Sequence, residues 1–235
     1  MYDLWVRGAE DEELTAALLL DLSAAFDVVN HKILLEKLQL YNFSPDTLEW
    51  FKSYLADRSQ YVMVDSRLSD PLRVGDQGVP QGSLLGPLCF IIFYNDFPAV
   101  RECGESILYA DDDTDSCSDK NPATLQNKIQ HEANLSTQWV HDNKLVCSGS
   151  KTKLLVIGTK EMRKSKLVNT NTKLSITVAG HLVEESQSER LLGLIVNNSL
   201  TWHHHLYGNE EHLGLLPNLS QRAGIVRKLS MVMPP

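Results

Sequence analysis

The order of apolar and polar positions along the chain predicts a mixture of strands and helices. An apolar run over 16–22 ends beside an aspartate and is consistent with a buried strand, although its Ala and Leu residues also suit a helix. The segment 31–41 has its apolar residues at helical spacing. Ser44 and Pro45 then supply the N-cap and the first position of another helix. The first part of the chain is therefore predicted to form one strand followed by two helices.

The remaining pattern predicts one long helix, a glycine-rich loop and several short strands. Two short strands, at Tyr61–Met63 and Leu72–Val74, flank a predicted turn at Asp70-Pro71. The further predicted elements are a loop over 75–82, a helix from Ser83 to about Asp96, a strand over 106–109 followed by an acidic turn and a second strand, a helix from Asn121-Pro122 to about His141, strands at 145–147, 154–157, 174–178 and 191–196, and a helix over 210–231. This order predicts an α+β fold, because it lacks the regular alternation of a doubly wound sheet.

Charge is distributed unevenly along the chain. The 235 residues carry a formal net charge of −8, which argues against a simple basic nucleic-acid binder. Residues 1–120 hold 9 Lys and Arg against 22 Asp and Glu, whereas residues 121–235 hold 13 against 8. An acidic half joined to a basic half predicts a cation-holding site beside a surface for an anionic partner.

Cysteine spacing and hydropathy exclude several classes of protein. The four cysteines form no CxxC pair, so a zinc site of the usual spacing is not expected. The acidic N-terminus lacks the apolar segment of a signal peptide. The longest apolar run, 84–94, is far shorter than the ~20 residues that span a membrane. The sequence predicts a soluble intracellular protein, nuclear or cytoplasmic, with no membrane partner.

Aspartates cluster at the ends of two strand-like segments. Asp21 follows the apolar run 18–20, and Asp111 and Asp112 follow the segment 107–110. Neighbouring carboxylates repel each other, and Mg²⁺, which prefers oxygen ligands, would relieve that repulsion. Two such ions can activate an attacking hydroxyl and stabilise a leaving phosphate oxygen. The alternative is that these are ordinary solvated turn residues.

These segments resemble the motifs of reverse transcriptases from non-LTR, LINE-like retrotransposons. Residues 109–112 match the YADD signature of that family. The other matching segments, in the family's order, are DLSAAFDVVNHKILLEKL (21–38), QGVPQGSLLGPLCFIIFYNDF (77–97), QWVHDNKLVCSGSKTKLLVIG (138–158) and ERLLGLIVNNSLTWHHHL (189–206). The resemblance implies a polymerase palm, with a ferredoxin-like antiparallel sheet packed on helices, a remnant of the fingers and the start of a thumb.

The resemblance also implies a metal site and its reaction. In such enzymes the metals are held by the aspartates that correspond to Asp21, Asp111 and Asp112, together with the backbone carbonyl at Leu22. Two Mg²⁺ ions are implied, with Mn²⁺ as a substitute. The implied partners are an RNA template, a DNA primer and a deoxynucleoside triphosphate; the oligomeric state stays open.

Further residues acquire roles from the same resemblance. Phe26 corresponds to the steric gate that excludes a 2′-hydroxyl, and Gln81 and Gly82 to residues that line the nucleotide and the template. Tyr109 of the YADD signature is also assigned to nucleotide or template binding, and Lys151 corresponds to the lysine that neutralises or protonates the leaving pyrophosphate. Each has a simpler alternative: Phe26 as core, Gln81 as a loop tether, and Lys151 as part of a solvated basic run extending to 166.

Three secondary expectations complete the sequence-based interpretation. Asp27, Asp113 and Asp115 are expected to be solvated or to support the metal ligands. Adjacent residues do not point to one place, so the histidines at 203–205 are predicted to start a surface helix and not to bind metal. The basic run 151–166 is a candidate for phosphate contacts.

The resemblance divides the chain into three parts. Residues 1–14 are expected to be a fingers-side remnant, 15–200 the palm, and 201–235 the start of a thumb or a tail. The expected function is RNA-templated DNA synthesis by a truncated copy. The alternatives are an inactive remnant or a nucleic-acid-binding module that uses the basic half, and an RNA-dependent RNA polymerase or other palm polymerase.

Overall fold

The computed structural model describes residues 1–208 and 214–216, and the predicted helix over 210–231 lies largely outside them. In chain order the elements are α1 (Tyr2–Glu10), β1 (Leu14–Leu20), α2 (His31–Leu40), α3 (Pro45–Leu55), β2 (Ser59–Gln60), β3 (Met63–Val64), β4 (Arg67–Leu68), β5 (Leu72–Arg73), α4 (Leu85–Tyr94), a 3₁₀ turn (Phe97–Val100), β6 (Glu105–Tyr109), β7 (Asp112–Asp119), α5 (Pro122–Asp142), β8 (Lys153–Ile157), α6 (Lys160–Arg163) continued by a π turn (Lys164–Val168), β9 (Ser175–Val178), β10 (His181–Ser186), β11 (Ser188–Leu191), β12 (Leu194–Asn197) and α7 (His203–Tyr207).

The main feature of the fold is a six-stranded sheet in the order β6-β7-β1-β8-β10-β9. Every pairing in it except β8–β10 is antiparallel.

Strand β1 lies inside the sheet between β7 and β8, and both of its faces are covered. Its residues are almost all buried, as the near-continuous apolar sequence LTAALLL requires. Alternate residues point to opposite faces. Leu14, Ala16, Leu18 and Leu20 belong to the larger core, whereas Ala17 belongs to a smaller one.

Helices cover the larger core. It combines these β1 residues with Leu34 of α2, Phe90 of α4 and Ile129 of α5, all 1% exposed or less. Several helices begin at residues that the sequence marks as caps. Ser44 Oγ accepts a hydrogen bond from the N–H of Thr47, and Asn121 Oδ1 accepts one from the N–H of Ala123. The predicted cap Ser83 lies one residue before the N-cap of α4, Leu84. The predicted α+β fold, with its strand and helices in this order, is confirmed.

The opposite face is covered by α1 and the β11–β12 hairpin. Trp5 is buried there with Ala17, Leu155 and Val196, and its Nε1–H donates to Ser116 Oγ at 3.0 Å. At the carboxyl end of β1, this hairpin borders a cavity that Leu19 and Asp21 also line.

Three predicted elements differ in the structure. The predicted strand 191–196 is a hairpin, because Leu192 and Gly193 both have positive φ (48° and 84°) and form a tight turn. The turn of the 59–73 segment lies at Asp65-Ser66, also at positive φ, and not at Asp70-Pro71. The predicted strand 145–147 is reduced to one bridge, between Leu22 and Cys147.

No helix in residues 1–208 and 214–216 is long and apolar enough to cross a membrane. The histidines at 203–205 form the short helix α7, as predicted.

Candidate active site

Three predicted catalytic residues lie together at one end of the sheet. The β1–β7 ladder ends at Leu20 opposite Asp113, so the next step places Asp21 opposite Asp112, and directly opposite residues share a face of a sheet. The β1–β8 ladder ends at Leu19 opposite Lys153, and Lys151 lies in the turn just before β8. Asp112, Asp21 and Lys151 line one cavity of about 190 Å³ there.

The backbone holds Asp21 in place while its carboxylate lacks a partner. The Asp21 carbonyl accepts a 2.8 Å hydrogen bond from the N–H of Ser148, and its own N–H donates to Thr152 Oγ1 at 3.3 Å. Asp21 Oδ2 is buried and accepts no hydrogen bond from the described residues. A buried carboxylate oxygen without a partner is costly, and a bound cation would remove that cost.

The predicted YADD segment forms the tip of the β6–β7 hairpin. Tyr109 pairs with Asp112, and Ala110 and Asp111 form the turn, with Ala110 at a φ of 56°. Asp112 faces the cavity, whereas Asp111 stays in the turn and is not among the residues that line it. Partial desolvation, with the negative charges of Asp111 and Asp21, raises the pKa of Asp112. The three predicted metal ligands therefore lie within electrostatic reach of one another.

These residues fit a cation only in part. Within residues 1–208 and 214–216, no three His, Cys, Asp or Glu side chains are gathered closely enough to hold a metal by themselves. Mg²⁺ is commonly held by one or two carboxylates, with substrate phosphates and water completing its shell. Asp21 and Asp112 are two such carboxylates in one cavity. A cation would also compensate the buried Asp21 Oδ2, which accepts no hydrogen bond from the described residues.

The Leu22 carbonyl is left free by the local bridge to Cys147. The two hydrogen bonds of that bridge use the Asp21 carbonyl and the Ser23 N–H. Phe26 is half-buried, and its ring stacks on Phe90 with the centroids 4.5 Å apart. Phe26 thus contacts the core, as its simpler interpretation proposes.

The structure places Gln81 away from the cavity of Asp21. Gln81 Nε2 donates to Asp27 Oδ1 at 2.8 Å, and both residues line a second cavity of about 650 Å³. Gly78, in the same wall, has a φ of 86°, and a Cβ there would lie 2.8 Å from the Asp27 carbonyl oxygen. Gly82 also has a positive φ of 78°, with open space around it. The tether between Gln81 and Asp27 matches the simpler interpretation of Gln81.

Sequence reasoning missed three charged residues at the first cavity. Lys153, Glu189 and Arg190 line it together with Leu192 at the tip of the β11–β12 hairpin. Lys153 belongs to the basic run 151–166 that was predicted to contact phosphate, although its place at this cavity was not predicted. The other two depend on a hairpin that the predicted single strand concealed.

The basic run does not form one phosphate-binding surface. Lys160 and Lys164 are exposed, but Arg163 forms an ion pair with Glu185 and donates to the Val156 carbonyl. The expectation that the run contacts phosphate is therefore limited to its individual exposed lysines.

Asp113 and Asp115 are buried, so of their two predicted roles the solvated one is wrong, and a role in supporting the metal ligands stays a prediction. They point to the helix-covered face of β7, where the Arg101 side chain is only 6% exposed. Arg101 contacts Asp115 at 2.7 Å, Glu132 at 3.6 Å and Asp113 at 3.7 Å. The sequence DDTDSC (112–117) contains a signal for this burial: alternate residues of a strand face opposite sides, so Asp113 and Asp115 share the face opposite to that of Asp112.

Burial determines the proton affinities in this charged cluster. Burial raises the pKa of Asp115 to about 6, although the charge of Arg101 and hydrogen bonds from Ser106 and Ser136 oppose the rise. Burial also opposes the ionisation of Glu132, but hydrogen bonds from Cys103 and two backbone N–H groups, with the Arg101 charge, lower its pKa. The cluster holds one cation against three acidic groups directly behind the candidate site.

This arrangement defines a class of protein. A sheet packed on helices over one face, with aspartates at the ends of two central antiparallel strands, is the palm of a nucleic-acid polymerase. Apo telomerase from Candida tropicalis has the same fold, with a TM-score of 0.54 at 15% sequence identity over 85% of this chain and 35% of that one.

The sequence comparisons identify the family. Residues 7–196 match the family model described as reverse transcriptase (RNA-dependent DNA polymerase), and the chain belongs to this family. It is 27% identical over 208 residues to the RNA-directed DNA polymerase from mobile element jockey of Drosophila melanogaster, covering 86% of this chain and 22% of the relative. It is 40% identical over 93 residues to the probable RNA-directed DNA polymerase from transposon BS of the same organism, covering 40% of this chain and 10% of the relative.

These matches confirm the predicted family and its non-LTR character. The chain spans about a fifth of the length of the jockey polymerase. Reverse transcriptases generally use divalent metal ions, so an ion at the carboxylate site agrees with the family.

Proposed function

We propose that this chain performs RNA-templated DNA synthesis, adding deoxynucleotides to the 3′-hydroxyl of a DNA primer by two-metal catalysis. The observation that carries the proposal is that Asp112, Asp21 and Lys151 line one cavity, while Asp21 Oδ2 is buried without a hydrogen-bond partner among the described residues. Nucleotidyl transfer depends mainly on position and electrostatics, and these three charged groups bear on both.

Each residue of the site has a specific role in the proposal. Asp21, Asp111 and Asp112, with the Leu22 carbonyl, would hold two Mg²⁺ ions, or Mn²⁺ in their place. When bound, such ions increase the nucleophilicity of the primer hydroxyl and neutralise charge on the phosphates. Lys151, which is exposed and lines the same cavity, would donate a hydrogen bond or a proton to the leaving pyrophosphate.

The substrate-selecting residues belong to the same proposal. The partly exposed ring of Phe26, fixed by Phe90, would form the wall that rejects a 2′-hydroxyl. Gln81 and Gly82 would border the template, and Tyr109, which is 66% exposed, would contact nucleotide or template.

The domain limits are likewise proposed. We assign residues 15–200 to the palm, 1–14 to the fingers side and 201–235 to the start of a thumb or a tail. The burial of Trp5 against the sheet supports treating 1–14 as part of the same folded body.

The test is primer extension on a poly(rA)/oligo(dT) duplex with labelled dTTP and Mg²⁺ or Mn²⁺. Wild-type chain should extend the primer, and both Asp21→Asn and Asp111→Asn should reduce extension to background. Asp119→Asn is the matched control, since Asp119 lies at the far end of β7 beside Lys128. Unfolding curves of all variants establish that they are folded. Extension by Asp21→Asn at the wild-type rate would refute the assignment.

A further inference from the structure

Helix α3 carries an aromatic stack that the proposed reaction does not use. Trp50 and Tyr54 lie one turn apart, and their rings are stacked with centroids 5.6 Å apart and an interplanar angle of 4°. Arg58, three residues beyond the end of α3, places its guanidinium carbon 5.4 Å from the centre of the Tyr54 ring. The three side chains therefore form one line, in which the Tyr54 ring contacts both Trp50 and Arg58.

The stack is on the exposed side of α3. The buried side of the helix is formed by Phe51 and Leu55, which are 5% and 3% exposed, whereas Trp50 is 51% exposed. The Tyr54 hydroxyl donates to Ser83 Oγ at 3.2 Å, which ties the middle ring to the start of α4. Tyr54, which is fixed by this hydrogen bond, thus supports one face of the Trp50 ring and leaves the other face free for a ligand.

The line ends at the second cavity. Arg58 lines that cavity of about 650 Å³ together with Gln60, Gln77 and Gln81, and with the backbone around Gly78. Side-chain amides both donate and accept hydrogen bonds, which suits the edges of nucleobases. The stack and the cavity therefore form one track that leads to the proposed template residue Gln81.

Arg58 is the unneutralised charge of this track. The nearby acids have partners of their own: Glu49 pairs with Lys52, Asp57 with Arg73, and Asp27 accepts from Gln81. Arg58 forms no ion pair within the described residues. A cation stacked on aromatic rings favours an anionic ligand that itself carries flat rings.

We propose that Trp50, Tyr54 and Arg58 form a stacking platform for unpaired bases of the single-stranded RNA template before it enters the cavity at Gln81. Base stacking on aromatic side chains tolerates any sequence, which a polymerase template requires. The identity of the strand as template rests on the proposed function; the binding of unpaired RNA does not.

The test measures binding of a fluorescent, unstructured RNA 12-mer to the full chain by anisotropy, without divalent ions or nucleotides. Trp50→Ala should weaken binding roughly 5- to 150-fold, the range for loss of one stacked base, and Trp50→Phe should restore most of it. The matched control is Trp202→Ala, because Trp202 is also exposed and also stacks on a tyrosine, with a centroid distance of 5.3 Å to Tyr2. It should leave affinity unchanged.

A second ligand separates stacking from charge. An abasic 12-mer carries the same phosphates without bases, so wild type and Trp50→Ala should bind it equally. Arg58→Gln should weaken both ligands and reduce the salt dependence by about 0.7 in the logarithmic slope if Arg58 meets one phosphate. Equal affinity of wild type and Trp50→Ala for the RNA would overturn the proposal. So would self-association of the chain that Trp50→Ala abolishes, since a second copy would then cover the stack.

The two proposals fail in different ways. Asp21→Asn should lose primer extension and keep binding that depends on Trp50. If wild type never extends a primer but binding still depends on Trp50, the catalytic proposal fails and the platform stands. If extension is intact and binding ignores Trp50, the reverse holds.

Discussion

The aspartates of β7 have two environments although they are neighbours in sequence. Asp112 faces the open end of the sheet beside Asp21 and Lys151, in a cavity that solvent reaches. Asp113 and Asp115 face the helices, are 2% and 1% exposed, and meet Arg101. One step along the strand thus separates an exposed carboxylate from a buried one, Asp113, which lies 3.7 Å from Arg101 and accepts no hydrogen bond from the described residues.

The difference shows how the two-residue period of a strand assigns chemistry. A carboxylate that must hold a ligand has to remain short of partners, whereas a buried one must be compensated or protonated. The first condition holds on the face of Asp112, and the second holds on the face of Asp113 and Asp115. The two faces should therefore respond oppositely to the same kind of substitution.

The largest expected effect contrasts Asp112→Asn with Asp115→Asn in primer extension. Asp112→Asn should lower single-nucleotide addition by at least about 100-fold, because charge stabilisation at the reacting phosphate is lost, with little change in stability. Asp115→Asn should retain most of the activity of whatever fraction is folded. Equal losses of specific activity in the two variants would remove the distinction between the faces.

The next effect concerns the stability of the buried face. Arg101→Met should lower the free energy of unfolding by about 3–5 kcal/mol, since it leaves buried carboxylates without their cation. Arg190→Met, on the open face, should change it by no more than about 0.5 kcal/mol. Urea unfolding of both variants measures the difference, and a stable Arg101→Met chain would show that the cluster is already neutral.

A pH experiment sharpens the same contrast. The pKa of Asp115 is about 6 in the folded chain against an ordinary value of 3.8, so the folded state holds this proton more tightly. Its contribution to stability is then present below about pH 4 and is lost as the pH rises through about 6, by roughly 3 kcal/mol at most. The unfolding free energy of wild type should fall more between pH 4 and pH 7 than that of Asp115→Asn. Parallel pH profiles would contradict this.

The smallest expected effect tests the hydrogen bonds of one serine in the cluster. Ser136 Oγ lies 3.1 Å from Asp115 Oδ2, 2.6 Å from Arg101 Nη1 and 2.7 Å from the Glu132 carbonyl oxygen of its own helix. Ser136→Ala should cost about 1–2 kcal/mol in thermal or urea unfolding. Thr137→Ala is the control, because Thr137 donates only to the Ala133 carbonyl of its own helix, at 2.7 Å. If Thr137→Ala lowers the free energy of unfolding as much as Ser136→Ala does, the loss comes from the helix and not from the contact with Asp115.

The sequence predicted the parts of this molecule that local chemistry determines. The apolar run 16–22, interpreted as a buried strand or a helix, overlaps β1 (14–20), and Ser44-Pro45 predicted the start of α3. Asp21 and the YADD segment could be found because strand-end carboxylates are conspicuous in an apolar context. Their roles as ligands stay proposals.

The parts that escaped prediction depend on contacts distant in sequence. Arg101 lies outside every motif, and its importance comes from Asp115 and Glu132 on separate elements. The stack of Trp50 on Tyr54 requires knowing which side of α3 is buried. The β11–β12 turn has a leucine at positive φ, which no turn signature marks.

The central position of β1 has a consequence for synthesis of the chain. Leu20 pairs with Asp113 and Leu19 with Lys153, so the most apolar strand leaves the ribosome long before either partner exists. At ordinary translation speeds the wait for β7 alone is about 5–20 s. During that interval a seven-residue apolar segment has no sheet to join. Nascent chains of this protein are thus exposed to aggregation until β7 emerges, and early chaperone binding would act on residues 14–20.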